Sequence, residues 1–238
     1  MIESLSVVFP MFNERECVGK TVSATLAVLK DVTQDYEIII VDDASTDGSA
    51  AIVEGLAREN SHIKVIHHAS NRTLGGALKT GFAASTKAYV LYSDVDMPFD
   101  FKEIKKAVQV LLGESADVVS AFRLNRGVDG FTRTVYSAAY NIMVKALFGL
   151  KIRDVNFSFK LIKREALKTL DLTSEGSFIN AELFVRFSLN NAKIVQFGTY
   201  YLPRRQGISK LSSLPVIVKI LQEMLLFKCR LQRGLKES

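Results

Sequence analysis

At 238 residues the chain is long enough to bury a full core, and 48% apolar with 24% charged residues excludes a disordered or low-complexity protein. The net charge of +6 belongs to one end. From Arg204 onward eight basic residues stand against Glu223 and Glu237, so the preceding residues are neutral, which argues against a nucleic-acid-binding domain. Cys17 and Cys229 lie far apart without metal spacing, and His62, His67 and His68 form no zinc pattern and read as surface residues around a strand. Met1–Ser4 runs straight into an apolar strand without the features of a secretory leader, so a reduced, cytoplasmic setting is expected.

In chain order, Leu5–Phe9 predicts a buried strand ended by Pro10, and Asn13 and Glu16 have the spacing of a capping box for a helix running to Leu29. Glu37–Val41 predicts the second strand, with Asp42–Gly48 as its acidic exit, followed by a helix through Ile52, Leu56 and Ala57. Asp47 and Gly48 read as helix cap and turn. Ile63–Ile66, Leu74–Ala84 and Tyr89–Tyr92 predict strand, helix and strand. Repetition at about thirty residues is that of βα units and a parallel sheet flanked by helices, an α/β fold. Later elements are expected at Phe101–Leu112 (helix), Asp117–Ala121 (strand), Thr132–Phe148 (helix), Val155–Ile162 (strand), Ala181–Leu189 (helix) and Ile194–Leu202 (strand). No apolar run is long enough to span a bilayer. Residues 212–238 read as a basic amphipathic helix with Ile217, Ile220, Leu221, Met224, Phe227 and Leu231 on one face, suited either to a membrane interface or to the protein's own core.

In parallel sheets ligands bind at the carboxyl ends of strands, where strand order reverses. Pro10–Glu14, Asp42–Asp43 and Asp94–Val95–Asp96 all fall at such ends. Two carboxylates one residue apart suit a hard divalent cation, which can neutralise a diphosphate leaving group. Leu74–Gly81 is not a Walker A loop, because Leu78 stands where its glycine is required. Its glycines fit either close approach to a ligand or helix packing.

Together, Val7–Glu14, Val41–Gly48 and Asp94–Asp96 resemble the family 2 glycosyltransferases of GT-A fold, over roughly residues 1–211. Arg153–Lys160 and Arg204–Lys210 narrow the resemblance to the polyprenyl-phosphate transferases of the dolichyl-phosphate mannose and glucose synthase type. The resemblance implies that Pro10, Phe12, Glu14, Val41 and Asp43 line the base and ribose site. It also implies that Asp94, Val95 and Asp96 meet the sugar, ribose or a Mg²⁺ or Mn²⁺ ion, with Asp94 and Asp96 as ligands and Asp96 the direct one. Phe12 and Pro98 depart from the family's usual Tyr and Gln, removing a hydroxyl contact and a third metal oxygen. Arg123 is expected near the sugar or the acceptor phosphate, and Arg204 and Lys210, on a loop with Gly207 and Ser209, are expected to close over the diphosphate. Glu182 is expected as a base or sugar-orienting carboxylate, or as simple helix N-terminal charge.

The function so implied is inverting transfer of a hexose from a GDP- or UDP-sugar to a polyprenyl phosphate at the cytoplasmic membrane face, with peripheral membrane contact and no nucleic acid. A sugar-hydroxyl acceptor and a non-catalytic lipid-binding scaffold of the same fold are the competing readings.

Overall fold

A computed structural model describes residues 1–96, 99–125, 131–202 and 214–237. The first half alternates strand and helix: β1 (Ser4–Met11), α1 (Val18–Leu29), β2 (Asp35–Asp42), α2 (Ser49–Glu59), β3 (Ile63–His67), α3 (Thr73–Ala84) and β4 (Tyr89–Ser93). The second half adds α4 (Glu103–Gly113), β5 (Val118–Arg123), α5 (Phe131–Phe148), β6 (Phe159–Lys163), α6 (Arg164–Lys168), α7 (Ile179–Leu189), β7 (Ile194–Thr199) and α8 (Leu214–Glu237). The seven strands form one sheet in the order β3-β2-β1-β4-β6-β5-β7. Only β6 runs antiparallel to its neighbours.

The continuous apolar runs of β1 and β2 follow from burial on both faces. Val7, Phe9, Ile38 and Ile40 enter the core beneath α1, α2 and α4, while Val8, Ile39 and Val41 enter the core with α3, α6 and α7. At Gly81 a Cβ would come within 2.3 Å of a Val8 methyl, so the absent side chain lets α3 lie close on β1.

Three local expectations give way to tertiary bonding. β1 continues through Pro10, which pairs with Val41 on one side only, because the ladder to β4 stops at Val8 and Tyr92. Asn13 does not cap α1: it takes a left-handed φ of 59° and its Oδ1 accepts the Thr46 N–H at 2.7 Å. Within the expected strand Val155–Ile162 the ladder begins only at Phe159, since the Val155 N–H donates to Asn141 Oδ1 at 2.9 Å instead of to a neighbouring strand.

The apolar stripe of α8 rests on the protein itself. Leu221, Met224, Phe227 and Leu231 join Val144, Phe178, Ala181 and Phe184 in a third core cluster formed with α5 and α7, and the Phe227 ring packs on Phe178 at 5.5 Å. Leu225 and Leu226 stand 57% and 59% exposed. None of the described helices is long and apolar enough to cross a membrane.

Glu37 on β2 ties the opposite end of the sheet together. It accepts bonds from Ser6 Oγ (2.7 Å), the Thr86 N–H (2.7 Å) and Lys64 Nζ (2.6 Å). Burial pushes its carboxyl up, but the bonds from Lys64, Ser6 and Thr86 outweigh burial and hold it at about 2. A carboxyl depressed on folding stabilises above its ordinary value of 4.5 and loses that contribution as pH falls toward 2. Denaturant unfolding is therefore expected to weaken by up to about 3 kcal/mol between pH 5 and pH 2 through this group, and Glu37→Gln should flatten that part of the pH profile. A parallel decline in the Gln variant would assign the effect elsewhere.

Candidate active site

The chain steps from β1 outward to β2 and β3, then crosses back to β4 on the other side of β1. The carboxyl ends of β1 and β4 therefore flank the crevice where strand order reverses. Phe12–Glu14, Asp43 and Asp94–Asp96 emerge from the carboxyl ends of β1, β2 and β4 around it. β5 runs in the same direction as β4, so Arg123 lies at this edge too, and so does the segment 154–158 that enters the antiparallel β6.

The exits of β1 and β2 are laced together. The N–H groups of Asn13, Glu14 and Arg15 donate to Ser45 Oγ (2.9 Å), Ser49 Oγ (3.0 Å) and Asp47 Oδ2 (3.0 Å). Asp47 Oδ1 also accepts the Ser49 N–H at 2.9 Å, and Gly48 takes a φ of +91° ahead of α2, the cap and turn expected of them. Pro10, Phe12 and Glu14 are partly exposed at the rim, whereas Val41 is buried below it. Asp43 is 3% exposed, its N–H donating to Met11 O at 2.8 Å. Oδ1 of its carboxylate accepts from His68 Nδ1 and from the Arg72 N–H, both at 2.7 Å. His68 is thus no surface residue: its side chain is 7% exposed and its Nε2 lies 2.9 Å from Thr80 Oγ1. His67 does the same for Asp42 at 2.9 Å, and bonds to Glu54 and Asp42 raise its imidazole's affinity for a proton.

Between Asp94 and Asp96, Val95 is buried and its carbonyl accepts the Thr21 hydroxyl, which fixes the backbone there. Asp94 and Asp96 are each half-buried. Two carboxylates are the hard oxygen ligands that Mg²⁺ takes alongside substrate phosphates, so the donor set fits a divalent ion held jointly with a diphosphate. Among the described residues no larger group of His, Cys, Asp or Glu could hold a metal. Behind Asp94 lies a buried polar cluster. Tyr92 Oη is 3.3 Å from Asp94 Oδ1, and Lys160, with no exposed surface, donates to Phe157 O (2.9 Å) and Asn180 Oδ1 (2.8 Å) beneath the Tyr92 and Phe184 rings. Burial drives the Lys160 ammonium down to about 7, against the pull of Asp94 and Asp154. Lys160 closes the Arg153–Lys160 segment that carries part of the family resemblance, but nothing in the sequence assigns it, Tyr92, Asn180 or His68 a role in the site.

The remaining expected residues divide. Arg123 is engaged inside the protein: Nε and Nη2 donate to the buried Asp154 at 2.8 and 3.2 Å, Nη2 reaches Ser137 at 3.3 Å, and the guanidinium lies over Tyr201. With Phe122, Leu124, Lys145 and Arg153 it lines a cavity of about 380 Å³. Glu182 is a correction. Its carboxylate is fully buried and accepts the N–H groups of Thr173 (2.9 Å) and Ser174 (2.7 Å) and Arg186 Nε (2.7 Å), so its lone pairs serve the protein's own backbone rather than a substrate proton. The Gly75–Gly76 pair serves packing: both N–H groups donate to Glu175 O at 2.6 and 3.2 Å, and a Cβ on Gly75 would meet Ser174 O at 2.3 Å. Lys79 is ion-paired with Glu175. Pro98, Arg204 and Lys210 lie outside the described residues.

The chain is similar to several known proteins. The glycosyltransferase AglD of Haloferax volcanii is 28% identical over 84% of this chain and 33% of its own length. Dodecaprenyl-phosphate galacturonate synthase of Rhizobium johnstonii is 26% identical over 97% of this chain and 69% of its own, and undecaprenyl-phosphate 4-deoxy-4-formamido-L-arabinose transferase of Yersinia pestis 29% over 91% and 65%. The chain thus spans from a third to about two thirds of these relatives. Among solved structures, glucosyl-3-phosphoglycerate synthase of Mycobacterium tuberculosis, in complex with Mn²⁺, UDP-glucose and phosphoglyceric acid, superposes with a TM-score of 0.68 at 21% identity, covering 92% of this chain and 79% of that one. The fold is GT-A. Residues 6–171 match the profile of glycosyl transferase family 2, to which the chain belongs.

Proposed function

We propose that this chain catalyses the inverting transfer of a hexose from a nucleotide-sugar to a polyprenyl phosphate, with a divalent metal and at the cytoplasmic face of a membrane. The observation that carries the proposal is the convergence of Asp43 and the Asp94–Asp96 pair on the crevice between β1 and β4. In this reading Asp43 takes the base N–H, Phe12 stacks on the ring, and Pro10, Glu14, Val41 and Val95 shape the ribose seat. A bound Mg²⁺ or Mn²⁺ supplies charge compensation for the departing nucleoside diphosphate. Asp94 and Asp96 would hold it, and Arg204 and Lys210 are the cations proposed for the diphosphate.

A phosphate monoester has a second pKa of about 6, so near neutral pH the acceptor is already mostly a dianion and requires steering more than deprotonation. That fits Glu182, whose carboxylate is committed to the protein's own donors. Beside the ion-paired Arg123, the cavity sets Lys145 and Arg153 next to Phe122 and Leu124, cationic heads with apolar surface, the composition a prenyl phosphate requires. The names of the galacturonate and deoxy-formamido-arabinose transferases point to the same class of acceptor. Membrane contact is supported by the exposed Leu225 and Leu226 of α8 beside Lys228 and Arg230.

The test supplies labelled UDP- and GDP-hexoses with Mn²⁺ or Mg²⁺ and either undecaprenyl phosphate or soluble saccharides. Label is expected in the organic phase, only with metal. Label confined to the saccharide would overturn the acceptor, and transfer undiminished by a chelator would overturn the metal.

A further inference from the structure

The fold treats the two oxygens of Asp43 differently. Oδ1 accepts the His68 Nδ1–H and the Arg72 N–H, each at 2.7 Å, and an oxygen with two lone pairs is filled by two donors. Among the described residues no donor is bonded to Oδ2. The arrangement is buried and bonded at both ends of the imidazole. His68 and Asp43 have side chains only 7% and 4% exposed, and Thr80 Oγ1 holds the far nitrogen of the imidazole at 2.9 Å while lying 3.1 Å from Gly76 O. Because a carboxylate only accepts, Nδ1 carries a proton, and the other nitrogen faces the Thr80 hydroxyl, which itself donates to Gly76 O.

A carboxylate with both oxygens open matches guanine, whose N1–H and N2–H₂ stand side by side. A carboxylate with one oxygen filled matches uracil, whose edge offers a single N–H between two carbonyls. Guanine against this Asp43 would keep one donor unpaired in a buried site, whereas uracil would lose nothing. On the donor-site reading given above, we infer that His68 is a specificity-determining residue that, by filling Asp43 Oδ1, makes the site select uridine over guanosine nucleotides.

Calorimetric titration of the full chain with UDP and with GDP, each with Mn²⁺, tests this. UDP is expected to bind about tenfold tighter or more, the scale of one unpaired buried donor. His68→Leu, which removes the donor at similar size, should bring the two affinities to within about threefold, and His68→Asn, which keeps a donor near the Nδ1 position, should restore most of the preference. Thr80→Val, which releases only the far nitrogen, should lower the ratio in part and decides the matter if His68→Leu does not fold. GDP bound as tightly as UDP by the parent chain, or a ratio unmoved in folded His68→Leu or in Thr80→Val, would overturn the inference and leave the transferase reading standing. Failure of both nucleotides to bind would overturn the donor site and the inference with it.

Discussion

Asp96→Ala is expected to lower sugar transfer by roughly 10³-fold or more at saturating donor, with little change in the unfolding transition. Asp94 and Asp96 follow β4 at the switch point, and a divalent ion seated there would neutralise the developing charge of a diphosphate. Their surroundings differ. Asp94 shares its charge with Lys160 and a bond with Tyr92, so part of its role is spent inside the protein. Asp96, half-buried and one residue past the anchored Val95, is proposed as the direct ligand. Asp96→Ala should therefore cost more activity than Asp94→Asn, and titration with Mn²⁺ in the presence of UDP should show the metal term lost. A variant with activity within tenfold of the parent across all metal concentrations would remove Asp96 from the metal site.

Glu182→Ala is expected to destabilise the protein by about 3–5 kcal/mol, among the largest effects available to a single substitution here. The change would strand two backbone N–H groups, the Thr173 hydroxyl (3.0 Å) and Arg186 at once, all now satisfied by one buried carboxylate. Burial pushes that carboxyl up, and the bonds from Ser174, Thr173 and Arg186 outweigh burial and keep it below the usual carboxylate range. Glu182→Gln should cost about 1–3 kcal/mol, because one amide oxygen replaces two acceptors. Denaturant unfolding measures both, alongside turnover of the surviving fraction. A general base would give the opposite pattern, an unchanged unfolding transition in the Gln variant with turnover down about 10²–10⁴-fold.

Much of the first half was legible because its signals are local. Apolar runs such as Val7–Phe9 and Glu37–Val41 are buried on both faces, and their acidic or Gly-containing exits mark the strand ends where the site lies. What escaped was decided by partners distant in sequence. His68 looks like a surface residue until β3 is laid beside β2, which brings it to Asp43. Asn13 has the side chain of a helix cap, yet the loop after β2 offers it Thr46 instead. The stripe on α8 is plain in the sequence, but a stripe does not say what covers it, and here Phe148, Phe178 and Phe184 do. Lys160 is buried among rings and carboxylates that come from β4, α7 and the segment before β6.

The clasp between the start of α3 and the loop 174–176 has a consequence for the order in which the molecule assembles. Thr73 Oγ1 and the N–H groups of Gly75 and Gly76 all end on Glu175 O, and the first of these contacts closes a span of 102 residues. Closing so long a loop loses chain entropy before the contact returns anything, so such contacts form after local pairings. The same loop is held by Glu182 through Ser174 and by Glu223 of α8 through Gly176. The bond that ties the start of α3, the helix that carries Thr80 to His68, to the loop 174–176 is thus made only after the carboxyl-terminal half has folded, whereas the packing of the same helix on β1 at Gly81 needs no such wait, so the proposed base pocket is completed in two stages.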